Sequence, residues 1–211
     1  MKRILLILSI ILFIILLNFR LYIYNINYYQ DEYEKLNIYD NIPKKQALEN
    51  TISLFDYFKD DKPLTSFFNN KEKQHLADVK NIINKTIILF YISLVLLIVL
   101  LFLNRKNPFN SILLSGIFLV IIPILLSFLN FNSTFINFHL VFFNNNLWIL
   151  NPETDKLIIL FPQEFFLDFT KKIFTNSFFM GLILISFGYF LKSKQTSKVF
   201  SVFSKNKISP K

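Results

Sequence analysis

Apolar positions in this chain gather into four runs without a charge: Ile4 to Phe19, Thr86 to Leu103, Phe109 to Leu129 and about Ile173 to Leu191. A helix needs about 20 predominantly apolar residues to cross about 30 Å of hydrocarbon. Each run is close to that length. The pattern therefore predicts four membrane spans, over about residues 4–24, 84–103, 109–129 and 173–191. Two longer segments, about residues 25–83 and 130–172, separate the first span from the second and the third from the fourth. A tail, 192–211, follows the last span. Gly116, Gly181 and Gly188, the three glycines, fall inside the last two runs. Small residues there favour close contact between helices in lipid.

The first run begins after Lys2 and Arg3, as a signal peptide does, but no small-x-small cleavage site follows. Arg20 and the tyrosines Tyr22, Tyr24, Tyr28, Tyr29 and Tyr33 come instead. They predict an uncleaved anchor ending in a snorkelling Arg and an aromatic belt. Pro43 predicts a helix start, with Leu48, Ile52, Phe55 and Phe58 on one face. Asp60-Asp61-Lys62-Pro63 breaks that helix, and a second one starts near Ser66 and runs into the second span. In the other long segment, Ile136 to Phe143 is dense in aromatic and branched residues and predicts a strand. Asn144-Asn145-Asn146 predicts a turn and Leu147 to Leu150 a return strand. Asn151-Pro152-Glu153 and Pro162-Gln163-Glu164 each predict a helix start. The second of these opens a helix with Phe165, Phe166, Phe169 and Ile173 near one side, lying in the headgroup layer before it turns into the last span. The expected fold is an α-helical membrane protein, with four transmembrane helices and two outer segments forming a small mixed α/β cap.

Composition sharpens this. Of 211 residues, 53% are hydrophobic and 27 are Phe. A soluble domain is nearer 45–50% apolar, and a disordered chain far lower. The net charge is +9. With the N-terminus inside, the inner segments hold ten basic residues (Lys2, Arg3, Arg105, Lys106 and six lysines beyond Leu191) and no acid. The other 13 basic residues and all 14 acidic ones lie in the outer segments or, for Arg20 and Lys85, at the outer ends of the adjoining spans. This asymmetry places both termini in the cytoplasm and the long segments outside. The basic excess then faces membrane lipid headgroups rather than nucleic acid. The four runs contain no Asp, Glu, Lys, Arg or His, which argues against a pump or an ion-coupled transporter.

Chemistry is left to the outer segments. Their two histidines, His75 and His139, fall one in each. Imidazole gains and loses a proton near neutral pH, so both are acid–base candidates. Glu72, His75 and Asp78 sit at i, i+3 and i+6, so on a helix either carboxylate is in reach of His75 to orient it and raise its basicity. A solvated charged face gives the same pattern. Glu-x-x-His is half of a di-iron carboxylate site, but the other half is missing. A zinc site from His75, Asp78 and His139 lacks tight ligand spacing, so no metal is expected. Asp155 fits the first turn of a helix better than a metal ligand set. The chain has no cysteine and no glycine outside its spans. Thiolate chemistry, the Gly-x-Ser-x-Gly elbow, phosphate-binding loops and dinucleotide fingerprints are excluded with them. No cofactor and no nucleotide is expected.

Two blocks carry a resemblance. KEKQHLADVK (71–80) resembles Glu-x-x-His-x-x-Asp-Val-Lys/Arg, with Leu76 where Met is usual. FHLVFFNNNLWILNPETDKLIILFPQEFF (138–166) resembles His-x-x-Phe-Phe-x-Asn-x-x-Trp-x-Leu-x-Pro-x-x-Asp-x-Leu-Ile followed by Phe-Pro-x-x-Phe-Phe. Both, with the order of the spans, are similar to a family of four-span integral membrane proteins that includes the lipoprotein intramolecular transacylase Lit. The resemblance implies an acyl shift on diacylated bacterial lipoproteins in the cytoplasmic membrane, from the glyceryl ester to the amine of the N-terminal cysteine. It gives a lyso-form product, with His75 and His139 as the functional residues. Asn145, Trp148 or a backbone N–H near the turn would then stabilise the oxyanion. Two other readings of the residues remain: a non-catalytic membrane accessory that binds a partner, and a zinc-dependent membrane hydrolase.

Overall fold

A computed structural model describes residues 2–60, 62–105 and 107–206, with 195–206 as backbone alone. Asp61 of the predicted break, Lys106 of the basic loop, and Lys207 and Lys211 of the tail lie outside the described residues, as do the side chains of Lys198 and Lys205. In chain order the elements are α1 (Lys2–Tyr22), α2 (Ile26–Lys35), a 3-10 turn (Ile38–Asp40), α3 (Lys44–Asp60), α4 (Asn70–Leu103), α5 (Phe109–Leu126), α6 (Phe131–Phe142), α7 (Lys156–Leu160) and α8 (Gln163–Asn206). Four of them, α1, α4, α5 and α8, are long and apolar enough to cross a membrane, and the four charge-free runs fall within or largely within them.

The chain divides into two units. The first comprises the described residues of Met1–Ile15, Tyr91–Ser127 and Phe174–Lys211. Leu6, Ile10 and Ile14 recur every four residues on α1 and form one stripe, which packs with Leu100 of α4 and with Ile112 and Leu119 of α5. Many other apolar side chains of this unit, such as Val95, Phe118 and Ile183, face outward. Lipid tails are as apolar as leucine, so helices there associate through close packing. Gly116 of α5 and Gly181 of α8 supply it. A Cβ on Gly116 would lie 2.6 Å from the Gly181 carbonyl oxygen, and one on Gly181 would lie 2.8 Å from that of Gly116.

The second unit comprises Leu16–Phe90 and Phe128–Ile173. Its core is aromatic. Tyr28, Tyr29 and Tyr33 lie on one face of α2 and are buried. Tyr29 meets Phe55 of α3 at 4.9 Å between ring centroids and Phe165 of α8 at 5.1 Å. Tyr28 meets Phe169 at 5.8 Å. These tyrosines are therefore core residues and not the predicted belt; the Tyr29/Tyr33 spacing of one helical turn lets both rings point inward. Tyr33 keeps its hydroxyl satisfied by donating to Thr51 Oγ1 at 2.8 Å, which donates in turn to the Ala47 carbonyl at 2.8 Å. Lys35 of α2 reaches Asp168 of α8 at 2.7 Å.

The predicted mixed α/β cap is not found, because no strand occurs among the described residues. Residues 136–142 belong to helix α6, and Leu147 to Leu150 form a turn followed by irregular chain. Asn130 explains the helix: its side chain accepts the Ser133 N–H at 3.0 Å, an N-cap bond that starts α6 before the branched residues are reached. Asn151-Pro152-Glu153 is a turn, and α7 begins later, at Lys156. α8 continues unbroken from Gln163, without the predicted turn before the last span; no Gly or Pro interrupts its first turns. α4 starts at Asn70 and not near Ser66, for a reason given by its cap below.

Candidate active site

The start of α4 is closed by a reciprocal cap. Asn69 Oδ1 accepts the Glu72 N–H at 2.9 Å, and Glu72 Oε2 accepts the Asn69 N–H at 2.6 Å. This is a capping box with Asn as the cap residue. The other Glu72 oxygen accepts the Leu157 N–H at 2.6 Å, in the first turn of α7. One carboxylate, 1% exposed, thus satisfies amides at the start of two helices. Asn69 Nδ2 also donates to Asp155 Oδ1 at 2.8 Å, and Asp155 Oδ2 accepts the Asn151 N–H at 2.8 Å. These bonds, that to Asn151 first, hold the Asp155 carboxyl below its ordinary pKa. Lys71 donates to the Ile149 carbonyl. The whole 149–157 connection is pinned to the first turn of α4.

One turn beyond Glu72, α4 presents His75, 7% exposed. α6 presents His139, 8% exposed, at the end of a stripe of rings four residues apart. Phe131 meets Phe135 at 6.1 Å, Phe135 meets His139 at 4.4 Å, and His139 meets Phe143 at 5.4 Å. The two imidazoles face each other at 6.2 Å between centroids, with planes 30° apart. Phe143 stands edge-on to His75 at 5.0 Å, and Trp148 lies against His139 at 4.8 Å. The site is an aromatic box around two imidazoles.

Electrostatics follow from that box. Burial disfavours the charged imidazole; His139 adds to this and Asp78 opposes it, and the His75 pKa falls to about 4. Burial also lowers the His139 pKa, against the hydrogen bond to the Phe135 carbonyl. Burial thus favours the neutral form of both rings. Nδ1 of His139 lies 2.7 Å from the Phe135 carbonyl oxygen. That oxygen only accepts, so Nδ1 carries the proton and Nε2 keeps the lone pair. Nδ1 of His75 is buried and has no hydrogen-bond partner among the described residues.

The other residues singled out in the sequence divide into two sets. Asp78, Asn145 and Trp148 join the histidines. Asn145 Nδ2 donates to Asp78 Oδ2 at 2.9 Å, and Asn145 Oδ1 accepts the Leu147 N–H at 3.0 Å, so Asn145 ties the loop carrying Trp148 to α4. Glu72 and Asp155 do not orient His75; their oxygens hold the Asn69 side chain and the amides of Asn69, Asn151 and Leu157. Three parts of the arrangement escape the sequence reading: the Phe135 carbonyl, the Phe143 ring and the Asn69 cap. Asn69-x-x-Glu72 is the signal that identifies the last. Among the described residues no group of three or more His, Asp or Glu side chains is placed to hold a metal ion.

The family model for the lipoprotein intramolecular transacylase Lit matches residues 4–166, which include both histidines and every residue of the box. The chain belongs to the Lit family. Membership makes it a membrane-integral acyltransferase. The chain is similar to the in meso structure of the membrane integral lipoprotein intramolecular transacylase Lit from Bacillus cereus, at 25% identity over 93% of this chain and 96% of that one, with a TM-score of 0.82. Two solved variants of the same Lit protein, with one histidine replaced by arginine or by alanine, match with TM-scores of 0.78 and 0.80. They cover 93% of this chain and 93% and 94% of their own. No match was found among curated protein sequences.

Proposed function

We propose that the protein moves an acyl chain from the diacylglyceryl group of a bacterial lipoprotein to the α-amino group of its N-terminal cysteine, leaving a lyso-form lipoprotein. The observation that carries this reading is the pair of buried imidazoles, 6.2 Å apart between centroids, one of them with its tautomer fixed. An N–C bond forms and the C–O bond of the glyceryl ester breaks. The proton leaves the amine and ends on the glyceryl oxygen. The reaction is an isomerisation, running downhill from ester to amide, and it balances without water or nucleotide. The nucleophile belongs to the substrate, which accords with a chain that has no cysteine.

His139 takes the proton of the attacking amine at Nε2 and returns it to the departing glyceryl oxygen. His75, neutral at its side, donates a ring N–H to the tetrahedral oxyanion, as a neutral imidazole does when its pKa is lowered. Trp148 and Phe135 both pack against the His139 ring, and the Asp78 charge acts on His75. Oriented attack supplies much of the rate, since effective molarities reach about 10⁵ M or more in well-aligned intramolecular reactions.

The site faces the outer leaflet and both termini face the cytoplasm. The ten basic and no acidic residues of the inner segments support this placement. Mass spectrometry of lipoprotein N-termini from cells with and without the protein tests the function: lyso-form termini appear only with it. Unchanged diacylated termini in both strains would sink the reading.

A further inference from the structure

The first unit carries charge of one sign. All 14 acidic residues lie in the second unit, whereas the first holds Lys2, Arg3, Arg105, Lys106 and the six lysines beyond Leu191. It has no Asp or Glu of its own to neutralise them. Two of these cations line one cavity. It has a volume of about 410 Å³ and lies between the start of α1 and the turn from α4 to α5, lined by Arg3, Phe102, Leu103, Asn104, Arg105 and Asn107. The turn is built by its own bonds. Asn104 Nδ2 donates to the Leu100 carbonyl at 2.8 Å, and the Asn107 N–H donates to the Asn104 carbonyl at 3.0 Å. Arg105 lays its guanidinium over the Phe102 ring, 5.1 Å from the centroid. Such a stack positions the cation and consumes none of its five N–H donors. Phe102, 66% exposed, and Leu103, 53% exposed, give the same cavity an apolar wall.

We infer that this cavity takes the phosphate of an anionic glycerophospholipid, held between the Arg3 and Arg105 guanidiniums, with an acyl chain along Phe102 and Leu103. Guanidinium forks match phosphate oxygens two at a time, and basic pockets between transmembrane helices hold acidic headgroups. Two like charges on one cavity repel until an anion lies between them. The lipid therefore ties the start of α1 to the α4–α5 turn. The apolar wall separates a lipid from free phosphate, since a bare ion leaves Phe102 and Leu103 uncovered. Whichever way the chain inserts, the turn joins the ends of two spans and sits within reach of headgroups. With the orientation proposed above, the lipid comes from the cytoplasmic leaflet. The site does not depend on the acyl-transfer reading.

Native mass spectrometry of the intact protein in detergent reads bound lipid directly. A single phosphatidylglycerol is expected to stay on each chain. Phosphatidylcholine at the same concentration is expected to leave, because its choline brings a third cation to a cavity that already has two. Arg3→Gln and Arg105→Gln are each expected to weaken phosphatidylglycerol retention by roughly tenfold or more, as the loss of a hydrogen bond between charged groups does. Lys194→Gln removes a cation of the same unit that does not line the cavity, and leaves retention unchanged. In the unmodified protein, phosphatidylglycerol slows hydrogen exchange at the Arg105 and Asn107 amides, while phosphatidylcholine and inorganic phosphate do not. That arm needs no variant to fold. Equal retention of the two lipids overturns the inference. So does Lys194→Gln weakening binding as much as the arginine changes, which spreads the attraction over the whole surface. Inorganic phosphate displacing the lipid at matched concentration overturns the lipid as occupant. Unchanged exchange at the turn places the lipid elsewhere and overturns the site.

Discussion

His139 donates its Nδ1–H to the carbonyl of Phe135, one turn earlier on the same helix, at 2.7 Å. The bond reaches back along the helix and fixes both ring tilt and tautomer, so the lone pair always sits on Nε2. A histidine held this way needs no carboxylate behind it. The orienting role that triads give to an acid is filled here by backbone.

The two lowered histidine pKa values set a pH dependence. Unfolded, both titrate near 6.5; folded, His75 titrates near 4 and His139 below its ordinary value. Between about pH 6.5 and the folded values the unfolded chain binds more protons. Stability contributed by these groups is therefore complete above about pH 6.5 and is lost as pH falls toward 4. The α-amine of the substrate titrates higher, at about 7.7–8.0. The acid limb of kcat/KM is expected there, from the amine and not the enzyme. A histidine of the free enzyme found to titrate at its ordinary pH of about 6.5 would contradict this.

Loss of either imidazole removes a group from one transition state. His75→Ala and His139→Ala are each expected to lower the rate by about 10²–10⁴, with normal membrane levels. The double variant is expected to cost much less than the product of the two. Asp78→Asn removes only an electrostatic influence on His75 and is expected to cost less than either. Mass spectrometry of a reporter lipoprotein at early times reads all four.

Glu72 tests structure separately from chemistry. Hydrogen bonds to charged groups contribute about 1.5–3 kcal/mol each, and an orphaned buried amide adds to the loss. Glu72→Ala removes two such bonds and is expected to lower stability by about 3 kcal/mol or more, with Glu72→Gln losing less. Thermal unfolding in detergent measures this. The pH limb of any remaining activity is expected to stay where it was, because Glu72 holds amides and does not touch His75.

Gly116 and Gly181 test the membrane unit. A Cβ at either would meet backbone below 3.0 Å, while one at Gly188 meets its nearest atoms at 3.0 Å. Gly116→Ala is expected to cost about 1–3 kcal/mol through overpacking, and Gly188→Ala less. Comparing thermal midpoints of the two in one detergent settles the order.

The spans and the starts of α3 and α8 were legible because each has a strong local cause, whereas the pairing of His75 with His139 rested on the family resemblance and not on a local pattern. Charge-free length makes a span, and a proline fixes a first turn. α6 was not legible. Its residues from Ile136 to Phe143 are apolar on almost every side, so no period separates helix from strand. The faint signals were the Asn130 cap and the i, i+4 series Phe131, Phe135, His139. The partners of Glu72 were hidden for another reason: Leu157 lies 85 residues away, and no local pattern announces that contact. The tyrosines misled because amphipathic rings suit a membrane boundary and a small core equally well.

α7 is five residues long. An isolated helix of that length has no stability in water, since nucleation alone outweighs the bonds it makes. Its first-turn amide at Leu157 is closed by Glu72, which stands in the first turn of a different helix. α7 therefore cannot precede α4 in folding; it condenses onto a finished end. The two open and close as one cooperative piece. Hydrogen exchange would show it as matching protection for the Leu157 and Asn69 amides, while the turn carrying Trp148 keeps its own tie to α4 through Asn145 and Asp78.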